Sequence, residues 1–280
     1  MRVRIIVDSS TDVSEKYREE ISFVPLTVRF GQTEYYDGVN LSKKAFYEKL
    51  VESDELPTTS QATPAMFEEA FREVAAAGDS AVVITLSSKL SGTYQSAVLA
   101  AEDYSNIYVV DSLSVAIGAG VLAQYALELA HKGRSAREIA ETLTEKREEI
   151  CVVALLDTLE YLKKGGRISK TVAFAGGVLN IKPVVTVQDG AVALIGKARG
   201  SRNGNNLLVE KINQAGGVDF SRPVLLGYTG LSPALLEKYV EDSKTLWEGH
   251  VDRLDGCLLC SVIGTHVGPG AVAVAFFKKG

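Results

Sequence analysis

Hydroxyl groups placed where an apolar strand gives way to a helix are the first chemistry this sequence offers. Ala81 to Leu86 is an apolar, β-branched run of strand length, and Ser87 to Gly92 is a polar turn. Thr93 to Tyr104 then carries Tyr94, Ala97, Val98 and Ala101 at helical spacing. The first N–H groups of a helix lack partners and carry positive partial charge, so such a turn can hold an anion. Ser91 adds a hydroxyl donor, and Gly92 lets a ligand approach the backbone. An ordinary turn with serine capping the helix has the same pattern.

Other groups could carry chemistry. His266 lies in Ile263 to Gly270, read as a glycine-rich turn between two strands. An imidazole there faces whatever fills the turn, and a structural or solvated histidine fits the same pattern. Leu162 to Ser169 sets basic residues, Arg167 among them, around a double glycine, and Arg199 and Arg202 lie in Lys197 to Asn203. Arginines beside glycine turns suit phosphate or an acidic partner, and a solvated basic surface is the plainer alternative. Cys257 and Cys260 form one C-x-x-C without a second pair, which favours buried thiols over zinc. Asp8 and Asp12 could take a cation, though an aspartate at a strand end more often bonds its own turn. The phosphate-loop, dinucleotide, zinc-protease and nucleophile-elbow motifs are all missing. The chain thus lacks the usual equipment for ATP, NAD, or zinc or serine hydrolysis, and neither metal nor cofactor is expected.

The elements that must position these groups follow in order. Val3 to Val7 is a strand ending at Asp8 to Asp12, and Phe23 to Phe30 reads as another strand. Ser42 to Leu50 is helical, and Pro57 to Pro64 is a loop whose Thr63 caps the next helix, with Pro64 at its first turn. After the Ala81 strand and its helix comes Asn106 to Val110, a strand ending at Asp111, and then a long apolar helix. Ser135 and Glu138 form a capping box. This alternation predicts a parallel sheet with right-handed crossovers, whose ligands sit beyond the strand C-termini. Three hydroxyl-rich turns fall on that edge and strengthen the anion-site reading of Ser91.

Past residue 150 the pattern changes. Cys151 to Leu156 is a strand, and Asp157 caps a helix stopping at Gly165 and Gly166. Asp189 and Gly190 mark a hairpin between Ile181 to Val187 and Ala191 to Lys197. A helix over about Asn205 to Gln214, a strand over Val224 to Gly227 and a helix from Ser232 to about Leu246 follow. Val251 to Leu254, Leu258 to Ile263 and Ala271 to Phe277 read as closing strands. The expectation is two α/β domains: 1–150 with the hydroxyl-rich turns, 151–280 with a mixed sheet.

The 280 residues are 46% apolar and 23% charged, a globular profile. A net charge of −5 argues against non-specific nucleic-acid binding. The first residues turn acidic too soon for a signal peptide, and Leu113 to Ala130 contains Ser114, Gln124 and Glu128, which marks a buried core helix and no membrane insertion. Three cysteines fit free thiols in a reducing cytoplasm, and the mixed-charge surface gives no reason to expect more than a monomer.

Val7 to Asp12, Thr58 to Gln61, Leu86 to Tyr94, Lys164 to Ser169, Ile181 to Pro183 and Thr265 to Ala271 together resemble the DegV family of fatty-acid-binding proteins, in order along the full chain. The resemblance implies a two-domain α/β fold, an N-terminal three-layer α/β/α parallel sheet and a C-terminal mixed-sheet domain, holding one long-chain fatty acid such as palmitate. The family's carboxylate contacts match Thr59, Ser91 and His266, with Gly92 lending a backbone N–H. Its basic residues facing a partner fatty acid kinase match Arg167 and Arg199. In that system the partner supplies ATP and the active site, and the DegV-type protein presents the carboxylate and leaves with acyl phosphate. Ala62 and Thr63 stand where the family often has Pro-Ser, which should alter only the start of the following helix.

The physics of such a ligand is simple. Burying roughly fifteen methylenes at ~0.8 kcal/mol each gives on the order of 10 kcal/mol. A hydrogen bond to a charged head adds about 1.5–3 kcal/mol. The tail should set affinity and the head register. The head candidates include no obvious buried Lys or Arg, which suits a carboxylate awaiting phosphorylation. Ala173 to Asn180, with Phe174, Gly176, Gly177 and Leu179, and then Ile181, is the candidate acyl lining. Its glycines leave room for a chain, or only permit close helix packing. Two other functions stay open: a stand-alone phosphotransferase or hydrolase acting on a small anionic substrate through Ser91, His266 and Asp8, and a regulatory protein for which bound lipid is the signal.

Overall fold

β-branched runs covered on both faces form the first sheet. The computed structural model describes residues 2–169, 180–251 and 254–279. β1 (Val3–Asp8) leads through a 3-10 turn over Glu15–Glu20 to β2 (Ile21–Val24), β3 (Thr27–Phe30) and β4 (Thr33–Tyr36). α1 (Lys43–Glu52), β5 (Thr58–Ser60), α2 (Pro64–Ala76), β6 (Ser80–Thr85) and α3 (Thr93–Ala101) follow. β7 (Ile107–Asp111), α4 (Ile117–His131) and α5 (Ala136–Lys146) come next. The sheet order is β2-β1-β6-β7 and every pairing is parallel, as the alternation predicts. All six residues of β6 are buried, which explains the apolar Ala81 to Ile84 at its centre.

The second sheet is mixed, again as predicted. Its elements are β8 (Ile150–Leu155), α6 (Glu160–Lys164), β9 (Ile181–Gln188), β10 (Ala191–Arg199), α7 (Ser201–Gln214) and β11 (Val224–Tyr228). α8 (Ala234–Asp242), α9 (Lys244–Trp247), β12 (Gly256–Leu258), α10 (Ser261–Val267) and β13 (Val272–Phe277) complete the chain. The order is β10-β9-β8-β13-β11-β12, antiparallel except for β11 with β12. Asp189 and Gly190 both take positive φ, 51° and 78°, in the hairpin turn between β9 and β10. α4 packs on strands of both sheets. Its Gly120 makes this possible, because a Cβ there would fall 1.9 Å from the Asp12 carbonyl oxygen. Among the described residues no helix is long and apolar enough to cross a membrane.

Several elements differ from expectation. Phe23 to Phe30 is not one strand: Pro25, which has no N–H to give a ladder, separates β2 from β3. β3 instead centres a small antiparallel sheet, β4-β3-β5. Thr58 to Ser60, expected as loop, is thus a strand. Thr63 stands at the N-cap of α2, but its side chain does not cap it. Asp157 does not cap α6 either; it pairs with Lys182, and the Glu160 amide donates to Thr158 Oγ1 at 3.1 Å. The helix expected from Ser232 to Leu246 breaks at Ser243, whose hydroxyl donates to the Tyr239 carbonyl oxygen and accepts from Trp247 Nε1. Neither Val251 nor Leu254 lies in a strand, and the Leu258 to Ile263 run is strand only to Leu258. The Ser135–Glu138 capping box forms as read.

Candidate functional site

His266 sits on a helix, not in a turn between strands. Val262 with His266, and Ile263 with Val267, share an i, i+4 relation on α10. Gly268 ends the helix at φ 73°. α10 lies hard against α1, because a Cβ on Gly264 would meet the Phe46 ring at 2.4 Å. The last turn holds His266 Nε2 2.8 Å from Thr59 Oγ1 on β5. The other ring nitrogen, Nδ1, is buried without a partner among the described residues and faces Gly165, where a Cβ would lie 2.3 Å away. Burial first, then the Arg167 guanidinium, pushes the imidazole down to about 4. The ring is therefore neutral at pH 7. We assign its proton to Nε2, since an unpaired lone pair costs less to bury than an unpaired N–H.

The β6–α3 turn is shaped from beneath by Asp8. Its Oδ2 accepts from the Leu86 amide at 2.6 Å, and its Oδ1 accepts from the Ser10 amide at 3.0 Å and the Ser10 hydroxyl at 2.5 Å. Asp8 thus bonds its own turn, and the next one as well. Burial lifts its carboxyl to about 6 against those hydrogen bonds. Ser87 Oγ donates to the Gly190 carbonyl oxygen at 2.7 Å and ties the turn to the β9–β10 hairpin. Ser91 Oγ is 2.9 Å from Thr93 Oγ1 and accepts from the Thr93 amide at 3.3 Å, but it stands one residue ahead of the N-cap, where no side chain caps the helix. Gly92 is the N-cap residue, and its amide has no partner among the described residues. A Cβ on it would sit 2.2 Å from Gln61 Oε1, whose Nε2 donates to Ser96 Oγ at 2.9 Å.

A cation also reaches this place, against the expectation of none. Gly166, at φ 72°, turns the chain back so that half-buried Arg167 donates from Nε to the Leu90 carbonyl oxygen at 3.2 Å and from Nη1 to that of Gly165 at 2.7 Å. Thr59, Ser91, Arg167 and His266 line one cleft of about 570 Å³, open mouth included. Its remaining walls are mainly apolar: Leu26, Leu86, Val115, Leu162, Val192 and Ile263 among them.

The other sequence-predicted residues fall elsewhere. Arg199 is exposed at the end of β10 and Ile181 begins β9; neither lines the cleft. Phe174, Gly176, Gly177 and Leu179 lie outside the described residues. Sequence reasoning missed Gln61 and Arg167 as cleft residues, although both stand inside motifs it used. It also missed the apolar face of α10, which the i, i+4 spacing of Val262, Ile263, His266 and Val267 could have revealed. Asp12 accepts from Lys43 Nζ at 2.7 Å, and among the described residues no group of three or more His, Cys, Asp or Glu could hold a metal. Cys151, Cys257 and Cys260 are free thiols.

Comparison with known proteins adds a consistent result. Residues 2–279 match the profile of the DegV family, described as uncharacterised proteins. A DegV domain-containing protein of Caldanaerobacter subterraneus is 36% identical over 283 residues, covering 99% of both chains. Among solved structures, a DegV lipid-binding protein from Thermotoga maritima superposes with a TM-score of 0.87 at 29% identity, covering 100% of both chains. A DegV family protein from Thermus thermophilus, described for its fatty-acid binding, gives 0.87 at 30% identity with the same coverage.

Proposed function

This chain belongs to the DegV family, and on that premise we propose that it binds one long-chain fatty acid, such as palmitate, with the acyl chain buried and the carboxylate at Thr59, Ser91, Gly92 and His266. One observation carries the reading: a neutral His266, two hydroxyls and a cation border a cleft whose other walls are mainly apolar. With the His266 Nε2–H given to Thr59 Oγ1, the Thr59 and Ser91 hydroxyls and the Gly92 amide, which has no partner among the described residues, are the donors a carboxylate needs. Arg167 adds charge without a bidentate clamp, since two carbonyl oxygens already hold its guanidinium. In this reading residues 1–150 supply the head-group turns, and 151–280 supply His266 and much of the acyl slot. The test is mass spectrometry of the purified protein, native and after organic extraction. A mass difference equal to one fatty acid supports the proposal; a protein that stays empty and ignores added fatty acid sinks it.

The bound carboxylate would serve as phosphoryl acceptor for a partner fatty acid kinase, which brings ATP and the catalytic residues. This chain would act as a cytoplasmic, monomeric carrier. Arg199, exposed and outside the cleft, suits the partner contact. Arg199→Glu should keep its lipid and lose acyl-phosphate formation with such a kinase; loss of lipid would remove Arg199 from that role. The stand-alone phosphotransferase or hydrolase has less behind it. His266 bonds Thr59 rather than Ser91, and Asp8 is sealed beneath the turn.

A further inference from the structure

The start of α10 is held by side chains from other elements. Its N-cap residue, Cys260, makes no side-chain cap. Instead the Cys260 amide donates to Asp12 Oδ2 at 3.2 Å and the Ser261 amide to Asp37 Oδ1 at 3.2 Å. Lys43 Nζ bonds Asp12 Oδ1 at 2.7 Å and the Leu258 carbonyl oxygen at 2.8 Å, while Tyr47 donates to the Leu259 carbonyl oxygen at 3.1 Å. Four consecutive residues, 258 to 261, are thus tied to Asp12, Asp37 and α1. Both carboxylates are buried, at 1% and 3% exposure. Burial raises the Asp37 carboxyl, while the neighbouring Ser261 and Ser9 hydroxyls and the Ser261 amide lower it. Keeping two carboxyl groups buried is costly, and a neutral cap would avoid that cost.

We propose that Asp37, together with Asp12, is a positioning residue for the head-group site: it fixes the first turn of α10 and so sets where the last turn holds His266 against Thr59. The lever is short and stiff. His266 lies five residues after Ser261, less than two helical turns. Gly264 against Phe46 and Tyr47 leaves the helix no sideways room, and those rings sit on α1, the helix that also carries Lys43. A shift at Ser261 therefore passes along the axis to the imidazole. The proposal rests on the fatty-acid reading only for what the imidazole contacts.

The test uses full-length Asp37→Ala, with Asp37→Asn as the conservative variant that keeps an acceptor for the Ser261 amide. Two quantities are read: the affinity for a long-chain fatty acid relative to the primary alcohol of the same length, and the His266 ring nitrogen resonances in the ligand-free protein. In Asp37→Ala the acid should weaken roughly tenfold, and the alcohol by no more than about twofold. The His266 Nε2 resonance should move toward its position in Thr59→Val, and Asp37→Asn should restore both. If acid and alcohol weaken together, or the resonance stays put, the proposal is overturned and Asp37 is merely structural. Should Asp37→Ala not fold, Asp37→Ser, whose acceptor has a shorter reach, carries the same comparison. A wild-type protein that binds neither probe would defeat the fatty-acid reading, and the resonance shift would still decide the positioning role.

Discussion

Thr59 and His266, 207 residues apart in sequence, meet side chain to side chain at 2.8 Å. The contact joins β5, in the small sheet built around β3, to α10, which follows the edge strand of the mixed sheet. A head group at this point would touch groups from both halves of the chain. Neither half alone could make the site.

Replacing Thr59 by valine keeps the shape and removes the hydroxyl. His266 Nε2 loses its partner, which costs about 1–3 kcal/mol of stability. Binding should suffer less than order. If the proposed acyl chain buries roughly fifteen methylenes, these dominate the affinity, and Kd for palmitate should rise only about tenfold. The carboxylate should lose its fixed position in a crystal structure of the complex. Calorimetry and that structure together check this; abolished binding would mean that the head group dominates.

The sheets were legible because their cause is local. β6 holds an apolar run, Ala81 to Ile84, buried on both faces, and the β9–β10 turn declares itself as Asp-Gly. α10 was not. Leu258 to Ile263 is apolar enough to pass for a strand, and only tertiary ties from Asp12, Asp37 and α1 settle it as a helix start. The same limit hid Arg167. Nothing in its sequence neighbourhood says that Gly166 folds it back onto the Leu90 carbonyl oxygen. Motifs singled out candidate residues, and long-range contacts show which of them meet.

Gly165 supports the ring of His266. Its φ of −73° suits alanine, so the backbone does not object to the change. The added Cβ would lie 2.3 Å from His266 Nδ1, with the Tyr161 carbonyl oxygen 3.2 Å away on another side. Gly165→Ala should push the imidazole off Thr59, weaken acid binding roughly tenfold and cost about 1–3 kcal/mol of stability. Equilibrium unfolding and ligand titration measure the two effects. An unchanged acid affinity would show that the ring position does not matter to the ligand.

Val192 lines the cleft from β10 and is only partly buried. A phenylalanine there would fill lumen, not core, so stability should change by less than about 1.5 kcal/mol. The acyl chain would lose that space. Mass spectrometry of lipid extracted from Val192→Phe should show a shift toward shorter chains than wild type carries. The same chain distribution in both proteins would place the tail away from β10.

The protonation of His266 predicts a pH signature. Its folded-state pKa is about 4, below the ordinary value of 6.5, because burial and Arg167 disfavour the imidazolium. A depressed pKa contributes stability that is fully present above about pH 6.5 and is lost as pH falls toward 4. The loss for this group is on the order of 2–3 kcal/mol. Asp8 acts in the opposite sense. Its carboxyl is raised to about 6, so its penalty, full above pH 6, is relieved as pH falls toward 4. The two partly cancel in wild type, which should lose less stability over this window than His266 alone dictates. In His266→Gln only the Asp8 contribution of the pair remains. The stability difference, wild type minus variant, should therefore shift against wild type by about 2–3 kcal/mol between pH 6.5 and 4. Denaturant unfolding at four or five pH values reads that difference directly. A gap that stays constant would mean that His266 titrates alike in the folded and unfolded chain, and the imidazole pKa depressed by burial and Arg167 would have to be given up.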